Sequence, residues 1–166
     1  MGKKPIEVFK SKEQFLECCK EWQEKLFLRD WFIKYKLTEE ELRDDDGNLL
    51  YGYCTHMMND NSACITVCNK AEFPDVEDEM FLKPCAELTV IHELLHLQFE
   101  YSEAMSDADS EVLRATLTHA SLERMAKTLL MTKYNLDREW FFIPEAKNKE
   151  EEDIIDLRND VYGKGA

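Results

Sequence analysis

The chain is short of positive charge, of long apolar runs and of internal repetition, and each shortage removes a class of function. Its 166 residues carry 21 Lys and Arg against 35 Asp and Glu, a net charge of −14. Nucleic-acid binding depends on clustered cations that displace counterions from phosphates, so no nucleic-acid partner is expected. No stretch approaches the roughly 18 consecutive apolar residues that a membrane span needs. The opening Met1-Gly2-Lys3-Lys4-Pro5-Ile6-Glu7 is basic without an apolar run behind it, unlike a secretory signal. Ile6 stands where N-myristoylation takes a hydroxyl residue. No segment repeats at a fixed period, which argues against a solenoid or propeller. A soluble, cytoplasmic protein is expected, with no membrane partner.

Cysteine is also too sparse for a disulfide framework. Cys18, Cys19, Cys54, Cys64, Cys68 and Cys85 are spread over the chain, and reduced thiols fit better. Cys54 with Cys64 and Cys68 lacks the spacing of a zinc knuckle and lies in strand-like sequence, where buried thiols are ordinary.

The length suits one domain, expected over residues 1–144, followed by an acidic, flexible C-terminal tail over 145–166. That tail opens with Lys147-Asn148-Lys149-Glu150-Glu151-Glu152-Asp153, a solvated run or a docking segment for a basic partner.

Ser11-Lys12-Glu13-Gln14 has the form of a capping box, and Phe15, Cys18, Cys19, Trp22 and Leu26 follow at helical spacing. Trp31, Ile33, Tyr35 and Leu37 alternate with polar residues and predict a half-buried strand. Asp44-Asp45-Asp46-Gly47-Asn48 is a turn signal, with strands expected at Leu49 to Thr55 and Ala63 to Cys68 around the turn-prone Asn59 to Ser62. Residues 70 to 80 are irregular and acidic. Pro84 suits the first turn of a helix reaching about Glu100. Ser106-Asp107-Ala108-Asp109 opens a further helix to about Thr132. The expected fold is α+β, a small antiparallel sheet with helices packed on one face.

The chemistry concentrates in Thr89-Val90-Ile91-His92-Glu93-Leu94-Leu95-His96-Leu97. Four residues advance a helix by about 400°, so His92 and His96 stack a turn apart and both imidazoles can reach one ion. Glu93, offset by about 100°, can approach a water at that ion without ligating it. A Lewis-acidic ion lowers the pKa of such a water, and a carboxylate can take its proton as it attacks a carbonyl. The uncharged Thr89, Val90, Leu94, Leu95 and Leu97 suit a buried helix whose polar face is a metal site.

This stretch resembles the extended zinc-helix signature of the zincin metallopeptidases. The layout over residues 30 to 132 is similar to minimal gluzincins and to the ImmA/IrrE-type peptidases of phages and bacteria. The resemblance implies a Zn²⁺ cofactor and, above the metal, a strand edge that aligns an extended peptide, expected at the strand around Ala63 to Cys68 or a neighbour. The metzincin branch is excluded, because Phe99 and Ser102 stand where its glycine and third histidine belong.

Catalytic zinc takes three protein ligands and keeps one position for water. The next helix offers Glu111, His119 and Glu123. His119 lies on one helical face with Val112, Ala115, Leu122, Ala126 and Leu130, and ranks first as third ligand. Glu123 ranks second: it is the gluzincin choice, and otherwise a carboxylate orienting His119 through its other ring nitrogen. Glu111 ranks third, as a surface acid near the helix start. His56 is assigned to packing. Tyr53, Tyr101 and Arg124 are candidates for stabilising an oxyanion, with nothing in the sequence to choose among them.

The function expected is a zinc-dependent metallopeptidase acting on a protein or peptide, with His92, His96 and His119 on the metal and Glu93 as general base. The rival is a zinc-stabilised, inactive binding or regulatory module in which His119 and Glu123 together close the site.

Overall fold

The computed structural model describes residues 4–71, 84–103 and 111–141, and of 100–103, 111–117 and 138 the backbone alone. The expected tail over 145–166, the irregular stretch beyond Ala71 and the helix start at Ser106 to Asp109 lie outside the described residues.

The chain runs α1 (Lys12–Lys25), β1 (Phe32–Thr38), β2 (Leu42–Arg43), β3 (Leu49–Leu50), β4 (Gly52–Met57), β5 (Ser62–Cys68), α2 (Ala86–Glu103) and α3 (Glu111–Tyr134), then a 3-10 turn at Arg138–Phe141. The α+β class is as expected, with the α1, α2 and β5 segments each near their anticipated places. None of the described helices is long and apolar enough to cross a membrane.

α1 begins where its cap predicts. The Ser11 hydroxyl accepts from the Gln14 amide at 3.2 Å, and the Gln14 side chain returns to the Lys10 amide at 2.8 Å. It ends in a paired closure, Phe27 N–H to Glu24 C=O and Leu28 N–H to Gln23 C=O, with Phe27 left-handed at φ 58°.

The three-stranded sheet has the order β1-β5-β4. β4 is antiparallel to β5, but β1 is parallel to it, so the sheet is mixed rather than antiparallel throughout. The reason is topological: β2, β3 and their turn carry the chain back across the sheet, so β5 re-enters in the direction of β1. β2 and β3 form a separate two-stranded arm, closed by Asp44, whose carboxylate accepts from the Asp46 and Asn48 amides. β3 and β4 were anticipated as one strand; Tyr51 separates them.

β5 is the central strand, not an edge. Its Ile65 and Val67 are fully buried, as a near-continuous apolar run requires when strands flank it on both sides. β1 alternates as expected, with Ile33, Tyr35 and Leu37 turned to the core and Phe32, Lys34 and Lys36 outward. The described helices pack on the inner face, where Phe15, Cys18, Cys19 and Trp22 of α1 meet Val90, Ile91, Leu94 and Leu95 of α2. Leu122, Ala126 and Leu130 of α3 close the same core from beyond α2. All six thiols are free; burial pushes Cys85 up to about 12, so it stays a neutral thiol that packs.

α2 starts two residues after Pro84. Its first amides are satisfied by the N-terminal segment: Ala86 N–H donates to Glu7 C=O and Glu87 N–H to Ile6 C=O, both at 3.0 Å. The Glu87 side chain returns the contact, accepting from the Ile6 amide at 3.0 Å. This carboxylate is fully buried and also accepts from Trp22 Nε1 (2.9 Å), Lys133 Nζ (2.8 Å) and the Tyr134 hydroxyl (2.8 Å). Burial opposes the charge on Lys133, but its bonds to Glu87 and Glu21 outweigh that and lift its pKa above the ordinary value.

Glu87→Ala therefore leaves an indole N–H, a phenol and an ammonium facing a void. It is expected to lower unfolding free energy by about 3–5 kcal/mol, the usual cost of breaking a buried ion pair. Urea denaturation followed by tryptophan fluorescence measures this, and a loss under 1 kcal/mol would contradict the hub.

Candidate metal centre

Val90, Ile91, Leu94 and Leu95 of α2 face the core, which leaves Thr89, His92, Glu93 and His96 as the stripe toward β4 and α3. α3 packs on α2 and brings His119 across from the two histidines. The ring centroids of His92, His96 and His119 lie 5.2, 5.2 and 4.9 Å apart, and one nitrogen from each lies within 4.8 Å of the others. Among the described residues this trio is the group that could hold a metal ion. Nitrogens on a tetrahedral zinc stand roughly 3.4 Å apart, so side-chain adjustments of about an ångström fit the trio to an ion.

The protonation of His96 suits ligation. Burial, then the fields of His92, His119 and His56, bring His96 down to about 4, so it is neutral with a lone pair to give at neutral pH. Glu123 was expected beside His119; its carboxylate instead meets His92 Nδ1 at 3.1 Å, while Lys127 holds its other oxygen at 3.0 Å. Burial raises the Glu123 pKa, but the His92 and Lys127 contacts prevail and bring it to about 2. An ionised carboxylate only accepts, so His92 carries its proton on Nδ1 and presents Nε2 to a metal. The physical reason for the swap is helix packing: one turn along α3 from His119, Glu123 falls opposite His92 on α2.

Glu93 is 6% exposed, and burial, partly offset by His92, pushes its carboxyl up to about 7. An open cleft of about 240 Å³ is lined by His92, Glu93, His119 and Glu123 together with Leu50, Tyr51, Gly52, Leu88, Lys127 and Phe141. Gly52 explains how β4 comes so close. A Cβ there would stand 2.6 Å from Thr89 Cγ2, 2.9 Å from the Thr66 carbonyl and 3.2 Å from Glu93 Oε1.

The other sequence candidates divide. Tyr53 points outward from the sheet and Arg124 is exposed, so neither lines the cleft. The side chains of Glu111 and Tyr101 lie outside the described residues. His56 packs edge-on against Trp31, as assigned, and also stands near enough to His96 to lower its pKa. Tyr51, Gly52 and Lys127 went unnoticed in the sequence. Gly52 carried a signal, a lone glycine opening a strand pattern. Burial and the Glu123 charge raise the Tyr51 pKa, so its hydroxyl remains a donor at neutral pH.

Compared with protein-family models, curated proteins and solved structures, the chain shows no significant match to any.

Two predictions follow from this geometry. In metal-free protein held in chelator, the raised Glu93 pKa means the folded state binds the extra proton between pH 4.5 and 7, so this group's contribution to stability is lost as pH rises through 7. Glu93→Gln should therefore stabilise the chelated protein by about 2 kcal/mol at pH 8 and by little at pH 4.5, in paired urea titrations. Gly52→Ala should lower stability by about 1–3 kcal/mol through overpacking and displace Glu93 while leaving the three histidines able to bind metal. Calorimetric zinc titration of that variant checks the second half.

Proposed function

We propose that the chain is a zinc-dependent metallopeptidase that hydrolyses a peptide bond of a protein or peptide substrate. The observation that carries this reading is the convergence of His92, His96 and His119 beside a buried Glu93 in one open cleft. A zinc ion held there would supply Lewis acidity toward a carbonyl and lower the pKa of water. Glu93, with its carboxyl near neutrality, is suited to take the proton of the attacking water and pass it to the departing amine. Glu123 orients His92, and Lys127 keeps Glu123 charged. β4 is an edge strand whose first residue, Gly52, lines the cleft, so a peptide added alongside β4 would pass the histidines. The free thiols suit a cytoplasmic setting, and the acidic charge argues against nucleic acid as partner.

The inactive-module alternative needs Glu123 as a fourth ligand. Its engagement with both His92 and Lys127 favours an open coordination position instead.

Elemental analysis of purified protein should find about one zinc per chain, lost in His92→Ala and His119→Ala. Glu123→Ala should retain zinc with affinity weakened by about 10–100-fold. With metal confirmed, peptide-library hydrolysis should fall by about 10²–10⁴ in Glu93→Gln without metal loss. Zinc retained by His119→Ala and lost in Glu123→Ala would move the third ligand to Glu123; no zinc in the wild type would end the peptidase reading.

A further inference from the structure

Among the described residues the helices cover one face of the sheet and leave much of the other exposed. On that outer face the register sets three rows across the strands: Phe32–Ser62–Met57, Lys34–Cys64–Thr55 and Lys36–Thr66–Tyr53. Thr66 within the Lys36 row is buried, and at the next position Cys68 Sγ donates to the Glu40 carbonyl. Phe32 is 79% exposed and Met57 61%, and with Tyr53 they are three of the five exposed large hydrophobics among the described residues. Lys34 and Lys36 are exposed beside them, and among the described residues neither has an ion-pair partner. Two cations beside an apolar patch are complementary to an extended segment that alternates acidic and apolar residues.

We propose that this face is the docking site of the chain's own acidic segment Glu150–Leu157, bound in extended form along β1. The segment reads Glu150-Glu151-Glu152-Asp153-Ile154-Ile155-Asp156-Leu157. In an extended chain alternate residues share a side. Laid antiparallel to β1, Glu151 and Asp153 meet Lys36 and Lys34, and Ile155 then meets Phe32. The direction agrees with where the described chain ends. Phe141 lines the same cleft as Gly52, the neighbour of Tyr53 in the Lys36 row. The nine residues from there to Glu150 span roughly 30 Å when extended, enough to round the β4 edge. The segment thus arrives at the Lys36 row and continues toward Phe32. This docking does not depend on the metal site or on catalysis.

Cys64, between Lys34 and Thr55, reports on the face. Full-length protein is alkylated with iodoacetamide, and the rate at Cys64 is read by peptide mass spectrometry. Glu151→Lys with Asp153→Lys leaves the described fold untouched and should raise that rate about fivefold, the factor that two exposed ion pairs represent. Lys34→Glu with Lys36→Glu should do the same once each rate is divided by the thiolate fraction from its own pH–rate profile, since the reversed charges also act on the thiol, and combining all four substitutions should return that corrected rate toward wild type. An unchanged rate in the tail variant overturns the proposal. A wild-type rate that slows as protein concentration rises also overturns it, by assigning the face to a second copy.

Discussion

The carboxylate of Glu87 is the point on which the helical layer depends. It sits in the first turn of α2 and gathers the Ile6 amide, the Trp22 indole, the Lys133 ammonium and the Tyr134 hydroxyl. Those donors belong to the N-terminal segment, α1 and the last turn of α3. A buried charge is tolerable only when its partners are all in place, so the carboxylate fixes the relative positions of these elements rather than adding much net stability. α3 is tied at its Lys133 end by this hub and at its His119 end by packing against the histidine stripe of α2. The placement of His119 therefore rests on an ion pair about four helical turns away along α3.

α2 does two jobs with one helical surface. Its apolar positions pack against β5 and α1, while Thr89, His92, Glu93 and His96 face β4 and α3. Neither job leaves slack for the other. A sheet strand must approach the polar stripe closely enough to bury Glu93, and Gly52 is the residue that permits this. Burial then sets the chemistry: the same desolvation that lifts Glu93 toward neutrality keeps His96 unprotonated. Among the described residues the cleft is thus a product of packing.

Much of this was legible in the sequence, and the reasons differ by element. α1 carried a capping box and an apolar stripe, both local signals, and it begins where they place it. β1 carried strict alternation, and its exposed and buried sides match. His92 and His96 were legible because four residues of helix suffice to stack them. The direction of β1 relative to β5 was not legible, since strand pairing depends on the path of the connection and leaves no mark in either strand. The partner of Glu123 was hidden for the same kind of reason: a helix shows which residues share its face, but not which residue of a neighbour they meet.

The amino-acid sequence by itself determined the α+β class, the main elements and the stacked pair of histidines with its adjacent glutamate. These follow from periodicity and capping, which act within a few residues. Only the tertiary structure decided that His119 joins the pair, that Glu123 orients His92, that Tyr51, Gly52 and Lys127 border the cleft, and that β5 lies at the sheet's centre. Each of these is a meeting of residues far apart in the chain. Their positions are set by how apolar faces and one buried carboxylate pack together, which no local pattern encodes.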